Sequence, residues 1–459
     1  MNQLINHHPA SFRDPSGFIY EQNGTVYRFV STTYSSHYSL LMDSGLAAEL
    51  QKKNLLLPFT EAADNHIGRA DWYKTLVPQQ LPFISYAWEW SFSQLKDAAL
   101  ATLAVCKLAL QKGMILKDAT HSNMQWVDGK WKLIDTLSFE IYTAGESWIA
   151  YRQFCECFLN PLLIAAHTGM EVNKLLLSYP DGVPANIAAK LLPFKTKFNA
   201  VVYLHVHLQT KLAAKPAAEQ KGSGKKLSQK NIEQILESLR SCIEGLNLPQ
   251  QITTWNNYYN ETILSETYLA EKKKLVSAIL ANQSYNSVID LGANEGEFSL
   301  LCREDAKVIA TDFDSACIDS LYTRLKKEKL KNTLPIVLDL TYPSPAMGWA
   351  NAERKAFFSR TKADVCLALA LIHHLAIAKN VSFGQLASFF ASICNTLIIE
   401  FVPKDDPKVQ SMLQWRKDIF EGYTIEKFEE AFAPFFSLEK KSIVTGSQRT
   451  MFVYGKKEV

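Results

Sequence analysis

The sequence predicts an α/β protein of two domains, with an open and mostly parallel sheet in its C-terminal half. Three observations support this fold class. The 459 residues exceed what one hydrophobic core usually holds together. A stretch rich in Lys, Ala, Gly and Ser, residues 211–230, separates two halves that are each long enough to fold alone. Beyond it, short apolar runs alternate with helical patterns, which is typical of parallel strands joined by crossover helices.

This stretch sets the predicted domain boundaries. We expect an α+β N-terminal domain at residues 1–210, a linker with a connecting helix at 211–250, and a second domain at 251–459. Ser228 can cap the connecting helix, whose apolar positions recur with the 3.6-residue period until Gly245 ends it.

Composition excludes several classes of protein. Hydrophobic residues make up 47% and charged residues 21%, as in globular proteins, and the net charge of +3 does not indicate nucleic acid as a partner. No run is apolar for the ~18 residues that a membrane span needs. The eight cysteines lack Cys-x-x-Cys spacing. We therefore expect no metal site and no membrane span, and we expect reduced thiols in a cytoplasmic protein.

A strand, a glycine turn and a helical pattern follow one another in the second domain. Residues 286–291 (NSVIDL) are an apolar strand that contains Asp290, and Gly292 and Gly296 frame the turn after it. Glycine tolerates positive φ and lets a ligand approach the backbone closely. Asp312 closes the next strand, 20 residues beyond Gly292, which is the spacing of an acid that binds a ribose. The sequence therefore predicts a site for a nucleoside-containing cofactor.

Two classes of cofactor fit this pattern, dinucleotides and S-adenosylmethionine. The dinucleotide fingerprint Gly-x-Gly-x-x-Gly is absent. The residues present, Asp-x-Gly-x-Asn-x-Gly, resemble the first motif of class I S-adenosylmethionine-dependent methyltransferases, with Asn294 in place of the middle glycine. Asn tolerates left-handed backbone geometry better than most residues. Residues 435–445 and 449–455 predict a terminal antiparallel hairpin, which class I methyltransferases add to their parallel sheet.

Three further strands complete the expected seven-stranded, Rossmann-like sheet. Residues 335–340 contain Asp339, residues 363–372 form a continuous apolar run, and residues 396–402 form the fifth strand. An amphipathic stretch at residues 383–394 is long enough for the helix that joins the last two.

The resemblance to methyltransferases implies a role for each matching residue. The acid Asp290 holds the methionine part of S-adenosylmethionine, the turn of Gly292, Asn294 and Gly296 packs against the cofactor, Asp312 binds the ribose hydroxyls and Asp339 lies near the adenine. Asp314 competes for the ribose role, and one or two of these acids, Asp312 or Asp339, can instead be turn residues at a strand end. Several aromatic residues, Trp255, Tyr258, Tyr259 and Tyr268, precede the first strand and either cover the cofactor or pack the domain edge.

His373 and His374 follow the fourth strand, at the edge where parallel sheets bind ligands. The run Leu-x-x-His-His-Leu resembles a motif of small-molecule methyltransferases, which implies a base that deprotonates the acceptor. Adjacent side chains on an extended strand point to opposite faces, so we expect only one of the pair, His374, to face the cofactor. A structural role is the alternative for either histidine.

The N-terminal domain carries a second set of motifs. A helix capped by Ser91 precedes a loop in which Asn123 follows Asp118 by five residues, and Asp135 follows Asn123 by twelve. This spacing resembles the catalytic core of protein kinases and aminoglycoside-type phosphotransferases. The resemblance implies a base at Asp118 and magnesium ligands at Asn123 and Asp135.

The kinase-like motifs also depart from that pattern. Leu116 stands at the position of the catalytic-loop histidine, and Thr-Leu follows Asp135 in place of Phe-Gly. There is no convincing glycine-rich loop, and Lys74 is only a candidate for the nucleotide lysine. We therefore predict a kinase-like domain with little or no phosphotransfer activity.

Nearly the whole chain is similar to bacterial methyltransferases related to a rhizobial nodulation protein, the NoeA-like family. The segments FISYAWEWSFSQLKDAAL, LIDTLSFE and IIEFVPKDDPKVQ carry this resemblance. It implies an enzyme that transfers a methyl group from S-adenosylmethionine to a small molecule or a sugar, with an N-terminal acceptor-binding or regulatory domain. Two alternatives stay open: a bifunctional protein that also binds ATP and transfers phosphate, and an S-adenosylmethionine-binding regulator without turnover.

Overall fold

The computed structural model describes residues 6–213, 228–249, 266–414 and 418–458. Contacts divide the chain into two units, one of residues 1–251 with 346–355 and one of residues 252–345 with 356–459. The sequence does not predict that residues 346–355 belong with the first unit. Among the described residues, no helix is long and apolar enough to cross a membrane.

The described part of the first unit contains nine strands. They are β1 (Asn6–His7), β2 (Gly17–Gln22), β3 (Thr25–Ser31), β4 (Phe59–Ala62), β5 (Trp72–Pro78), β6 (Met114–Leu116), β7 (Met124–Val127), β8 (Lys130–Leu133) and β9 (Phe139–Ile141). Five of them form an antiparallel sheet in the order β1-β2-β3-β5-β4, while β6 pairs with β9 and β7 with β8. The turn between β2 and β3 has positive φ at both Asn23 and Gly24, 53° and 75°, because an Asn-Gly pair accepts this tight hairpin geometry.

Helices cover the remainder of the first unit. They are α1 (Ser35–Asp43), α2 (Leu46–Lys52), α3 (Phe92–Gln111), α4 (Tyr151–Phe154), α5 (Asn160–Thr168), α6 (Val172–Ser178), α7 (Ala185–Leu191), α8 (Ala200–Val202), α9 (Leu208–Ala213) and α10 (Gln229–Glu244). The long helix α3 begins with the predicted capping box of Ser91 and Gln94. Its buried side packs against β6 and β8, which fixes the loop that follows β6.

The second unit is built on one seven-stranded sheet. Its strands are β10 (Ser287–Leu291), β11 (Lys307–Asp312), β12 (Thr333–Val337), β13 (Ala363–Ala368), β14 (Cys394–Phe401), β15 (Phe436–Ile443) and β16 (Thr450–Lys456). Their order is β12-β11-β10-β13-β14-β16-β15; the first five are parallel, and β16 is antiparallel to both β14 and β15. The predicted terminal hairpin is therefore present. The strand order reverses at β10, and ligands of such sheets bind at the carboxyl ends of the strands on either side of the reversal.

Five helices are described in the second unit. They are α11 (Glu266–Ala281), α12 (Ser315–Glu328), α13 (Phe383–Ile393), α14 (Pro407–Leu413) and α15 (Ile425–Phe432). Helix α13 makes the predicted crossover from β13 to β14. The central strands are buried on both faces, as Val288, Ile289, Cys366 and Leu367 illustrate, because helices cover both sides of the sheet. The α/β fold class is confirmed.

Two local predictions are wrong. The helix expected directly after the glycine turn is only a short 3-10 turn, Ser299–Leu301, so the turn does not lead into a regular α-helix. The fourth strand ends at Ala368, four residues earlier than predicted. The cause is Ala370, whose φ of 50° lies in the left-handed region and breaks the extended backbone.

Candidate cofactor site

A cavity of about 290 Å³ lies at the carboxyl ends of β10 to β13. Most of its wall is apolar, with side chains such as Phe313, Leu338 and Leu371. Four of the predicted cofactor residues also line it, namely Gly292, Asn294, Asp312 and Asp339. The cavity thus collects residues from four separate strand ends, which explains why they are scattered in the sequence.

The turn after β10 adopts a strained backbone that its sequence suits. Gly292 and Gly296 have φ of 77° and 80°, and Asn294 between them has φ of 51°. A Cβ on Gly296 would lie 2.5 Å from the side chain of Leu321, so this position also requires glycine for space. Gly292 lines the cavity without a side chain, whereas Gly296 packs behind it.

Asp312 is held at the end of β11 by backbone donors. The N–H groups of Asn294 and Asp314 donate to its two carboxylate oxygens over 2.8 and 2.9 Å. Burial raises the pKa of this carboxyl to about 6 although these hydrogen bonds oppose the shift. The geometry leaves lone pairs on both oxygens for further donors, such as the hydroxyls of a ribose.

Asp290 lies beneath the turn and is not part of the cavity wall. Its Oδ2 accepts a hydrogen bond of 2.6 Å from the hydroxyl of Ser299. Burial raises the pKa of Asp290 to about 7, and the charge of Asp312 adds to the shift. The role implied for Asp290, direct contact with the methionine part of a cofactor, is therefore not visible in this arrangement, in which the carboxyl supports the turn instead.

Two other acids follow the strands. Asp339 comes after β12, lines the cavity, and accepts hydrogen bonds from the N–H and the hydroxyl of Thr341 over 2.8 and 2.7 Å. Asp314, the competitor for the ribose role, caps α12 by accepting the N–H of Ala316 at 2.9 Å. Asp314 does not line the cavity, so Asp312 is the better placed of the two.

His373 and His374 sit on a helical turn rather than on an extended strand. The N–H of His374 donates to the carbonyl of Leu371 at 3.0 Å, and the two imidazole rings lie 4.1 Å apart between their centroids. The expectation of opposite faces is therefore wrong in its geometry. His374 lines the cavity, while His373 is fully buried with no hydrogen-bond partner at either ring nitrogen among the described residues.

Burial also keeps the two histidines uncharged. It lowers the pKa of His374 to about 4 and that of His373 well below its ordinary value. The nearby positive charge of Arg449 adds to both shifts. At neutral pH each imidazole is therefore neutral, and His374 presents an uncharged ring to the cavity.

Sequence reasoning missed a buried ionic network on one wall of the cavity. Lys272 donates to Glu400 at 2.6 Å, and the hydroxyl of Tyr268 donates to the other oxygen of Glu400 at 2.8 Å. Arg449 donates to the hydroxyl of Tyr268 at 3.0 Å and forms a two-pronged ion pair with Asp406. Lys272, Tyr268 and Arg449 all line the cavity.

This network joins parts of the chain that no local motif links. Lys272 and Glu400 are 128 residues apart, and Tyr268 and Arg449 are 181 residues apart. Only Tyr268 had a signal in the sequence, as one of the aromatic residues before the first strand. Although burial opposes it, the positive charges of Lys272 and Arg449 hold the pKa of Glu400 below its usual value.

The kinase-like motif residues of the first unit also come together. Each lies next to a strand: Asp118 follows β6, Asn123 precedes β7 and Asp135 follows β8. The amide of Asn123 donates to Asp118 at 3.0 Å, and Arg28 of β3 forms an ion pair of 2.6 Å with Asp135. Burial, followed by the charge of Asp135, raises the pKa of Asp118.

Two further predictions concern Lys74 and Tyr259. Lys74, the candidate nucleotide lysine, forms a half-exposed ion pair with Glu61 at 2.7 Å. Tyr259, predicted to cover the cofactor, lies outside the described residues, as do Trp255 and Tyr258. Within the described residues, no group of three or more His, Cys, Asp or Glu side chains is arranged to hold a metal ion.

The chain is similar to known proteins in sequence or in structure. No protein-family model matches it. The N-methyltransferase NodS of Bradyrhizobium japonicum WM9 is 9% identical and covers 42% of this chain and 99% of its own, with a TM-score of 0.31. The magnesium protoporphyrin IX methyltransferase ChlM of Synechocystis PCC 6803, solved with bound S-adenosylmethionine, is 13% identical over 46% of this chain and 86% of its own, with a TM-score of 0.29.

The sequence relative is similar over its full length. The nodulation protein NoeA of Rhizobium meliloti strain 1021 is 32% identical to this chain, and the match covers 98% of this chain and 96% of that protein. Both units are included, so the similarity is not confined to the sheet with the cavity. The chain belongs to the family of the nodulation protein NoeA.

Proposed function

We propose that the second unit binds S-adenosylmethionine in the cavity and transfers its methyl group to a small-molecule or carbohydrate acceptor. The observation that carries this proposal is the convergence of Gly292, Asn294, Asp312 and Asp339 on one cavity where the strand order of the sheet reverses. A dinucleotide enzyme is the poorer choice, because its glycine fingerprint is absent and the sheet ends in an antiparallel hairpin.

The residues present fit this cofactor. Asp312 can accept hydrogen bonds from both ribose hydroxyls, since a carboxylate oxygen has two lone pairs and the N–H groups of Asn294 and Asp314 take one on each of its oxygens. Leu338 and the half-exposed Phe313 offer apolar walls for an adenine, next to the acceptor oxygens of Asp339. Once bound, S-adenosylmethionine supplies a methyl group on a positively charged sulfur.

Charge supports the same assignment. The buried carboxyls of Asp290 and Asp312 have pKa values raised to about 7 and about 6. A positively charged ligand nearby stabilises their ionised forms, and ribose hydroxyls donate more strongly to an ionised carboxylate. Binding of a positively charged nucleoside therefore favours the ionised form of both carboxyls, whereas a neutral ligand does not.

We assign the acceptor end of the cavity to His374 and the network of Tyr268, Lys272, Glu400 and Arg449. The neutral ring of His374 has a nitrogen lone pair that can take a proton from a hydroxyl or an amine of the acceptor, and its lowered pKa of about 4 makes it a weak base. The ion pairs of the network hold the adjacent wall in one geometry, which orients an acceptor without leaving a buried charge uncompensated. The choice of a small molecule or a sugar as the acceptor rests on the resemblance of residues 371–375 to the motif of small-molecule methyltransferases.

We assign the first unit an acceptor-binding or regulatory role without phosphotransfer, in a cytoplasmic protein. Support for a kinase-like architecture comes from the five-stranded antiparallel sheet, the long helix α3 and the loops that carry Asp118, Asn123 and Asp135. The eight cysteines are all free, and all but Cys242 are buried, as expected for a reducing compartment.

The test is turnover with a labelled methyl donor. Extracts of bacteria are incubated with the full chain and methyl-labelled S-adenosylmethionine, and mass spectrometry is used to find products heavier by one labelled methyl group. We expect release of S-adenosylhomocysteine and one class of labelled product, and we expect much less of both with Asp312→Ala at a cofactor concentration that does not saturate the variant. Cofactor binding without any release of S-adenosylhomocysteine would contradict an enzyme and favour the regulator.

A further inference from the structure

The side chain of Arg28 brings a positive charge next to the kinase-like motif residues. Arg28, on β3, lies 2.6 Å from Oδ1 of Asp135, and the two side chains are only 12% and 16% exposed. Such a short and largely buried pair compensates the charge of this carboxylate. Asp135 is the residue at which the kinase resemblance implies a magnesium ligand.

The side chains of Ser138 and Asn123 donate hydrogen bonds to the two carboxylates of the motif. The hydroxyl of Ser138 donates to Oδ2 of Asp135 at 2.5 Å. The amide nitrogen of Asn123 faces Oδ2 of Asp118 at 3.0 Å and the hydroxyl oxygen of Ser138 at 3.2 Å. A magnesium ion requires several oxygen lone pairs that point inward. Of the four carboxylate oxygens of Asp118 and Asp135, only Oδ1 of Asp118 has no hydrogen-bond partner among the described residues, and N–H, O–H or guanidinium groups face the other three.

The residues present therefore do not fit the metal that the resemblance implies. We propose that the guanidinium of Arg28 replaces the divalent cation in this motif, and that the first unit holds no magnesium and transfers no phosphate for this reason. The cluster then ties β3 to the loops after β6 and β8. This inference concerns the first unit and is independent of methyl transfer in the second.

The proposal predicts a gain of binding when the guanidinium is removed. Arg28→Met leaves Asp135 without its cation, beside the carboxylate of Asp118. When an ion binds, rotation of the Asn123 amide and the Ser138 hydroxyl turns their oxygens toward it. Oxygen ligands of this kind bind Mg²⁺ and Mn²⁺ once no internal charge competes for them. Because one unit of positive charge is lost next to the ligands, we expect Mn²⁺ affinity to rise by at least about tenfold over the wild type.

The experiment titrates the full chain with Mn²⁺ and measures free Mn²⁺ by electron paramagnetic resonance. We expect no saturable binding at this cluster in the wild type, one new site in Arg28→Met, and loss of that site in Arg28→Met with Asp135→Asn. The variant Arg28→Lys is the matched control, since it keeps the charge and should stay without metal. Mn²⁺ should also raise the melting temperature of Arg28→Met and leave that of Arg28→Lys unchanged.

Two results would overturn the proposal. One is saturable Mn²⁺ binding to the wild type that Asp135→Asn abolishes, because the native cluster would then be a metal site. The other is a folded Arg28→Met that binds Mn²⁺ no more tightly than the wild type. If Arg28→Met does not fold, Arg28→Gln tests the same point, since it removes the charge and keeps a polar side chain.

Discussion

Asp312 in the second unit and Asp135 in the first both belong to a recognisable motif at the end of a strand. The charges of the groups around them differ. Asp312 has backbone N–H groups as its partners, and burial raises the pKa of its carboxyl to about 6. Asp135 has the guanidinium of Arg28 at 2.6 Å. A ligand that donates hydrogen bonds stabilises a buried carboxylate whose partners are neutral. It stabilises less a carboxylate that is already paired with a cation of the chain.

Motif spacing therefore locates an acid but does not indicate whether its carboxylate is free to bind a ligand. Both spacings, 20 residues from Gly292 to Asp312 and twelve from Asn123 to Asp135, lead to side chains that cluster in the structure. The partner that separates the two cases, Arg28, lies 107 residues before Asp135 and belongs to no motif.

Glu400 is the paired acid of the second unit and carries the largest expected effect. Lys272→Met removes the nearer of its two buried cations, since Lys272 and Glu400 are 4% and 0% exposed and the other cation, Arg449, lies 3.8 Å away. Breaking such a buried ion pair costs about 3 to 5 kcal/mol of unfolding free energy. Urea unfolding measures the loss, and the exposed pair of Lys274 with Glu271 gives the control, because Lys274→Met should change stability by less than about 1 kcal/mol. Equal losses of unfolding free energy in Lys272→Met and Lys274→Met would contradict the claim that a buried acid depends more on its cation than an exposed acid does.

Asp290 is the unpaired acid, and its removal should stabilise the protein at high pH. Its pKa is about 7 in the folded chain against an ordinary value of 3.8, so between these values the folded state holds a proton that the unfolded state loses. Stability therefore falls as pH rises through this range and is lowest above it. Asp290→Asn should equal the wild type near pH 4 and exceed it by roughly 2 to 4 kcal/mol at pH 8.

Unfolding titrations at several pH values check this prediction. The difference between variant and wild type isolates Asp290 from other groups that titrate, including Asp312. A difference that does not grow with pH would show that the carboxyl of Asp290 is ionised in the folded chain and has a compensating partner.

His374 tests the acceptor end of the cavity. His374→Ala should lower the turnover number by about 10²-fold, since a general base contributes at least this much, while the affinity for S-adenosylmethionine stays within about twofold. The matched variant is His373→Ala, at the buried neighbour that does not line the cavity. We expect His373→Ala to act mainly on stability. Wild-type turnover in His374→Ala would remove this residue from the chemistry.

Local patterns in the sequence were enough for much of the second unit. Apolar runs located the parallel strands, and the acids at 312 and 339 lie near strand ends because polar groups there reach solvent or a ligand. The family was also predicted, and the full-length similarity to NoeA confirms it. The positive φ at Asn294 agrees with the tolerance of Asn for this geometry.

Long-range packing accounts for what the sequence did not reveal. The pair of Lys272 and Glu400 joins α11 to the end of β14 and has no periodic or motif signal. The early end of β13 depends on a left-handed Ala370, which no alanine-rich apolar run predicts. The inclusion of residues 346–355 in the first unit likewise follows from tertiary contacts.

The most direct test of the central claim is the affinity of Asp312→Ala for S-adenosylmethionine, measured by calorimetry at pH 7.5. Loss of the hydrogen bonds from the ribose to a charged acceptor should cost about 1.5 to 3 kcal/mol, which is roughly a 10- to 150-fold weaker affinity. Asp305→Ala, at an acid that is 76% exposed, is the matched control and should bind as the wild type does. Unchanged affinity in a folded Asp312→Ala would contradict the assignment of this cavity to S-adenosylmethionine.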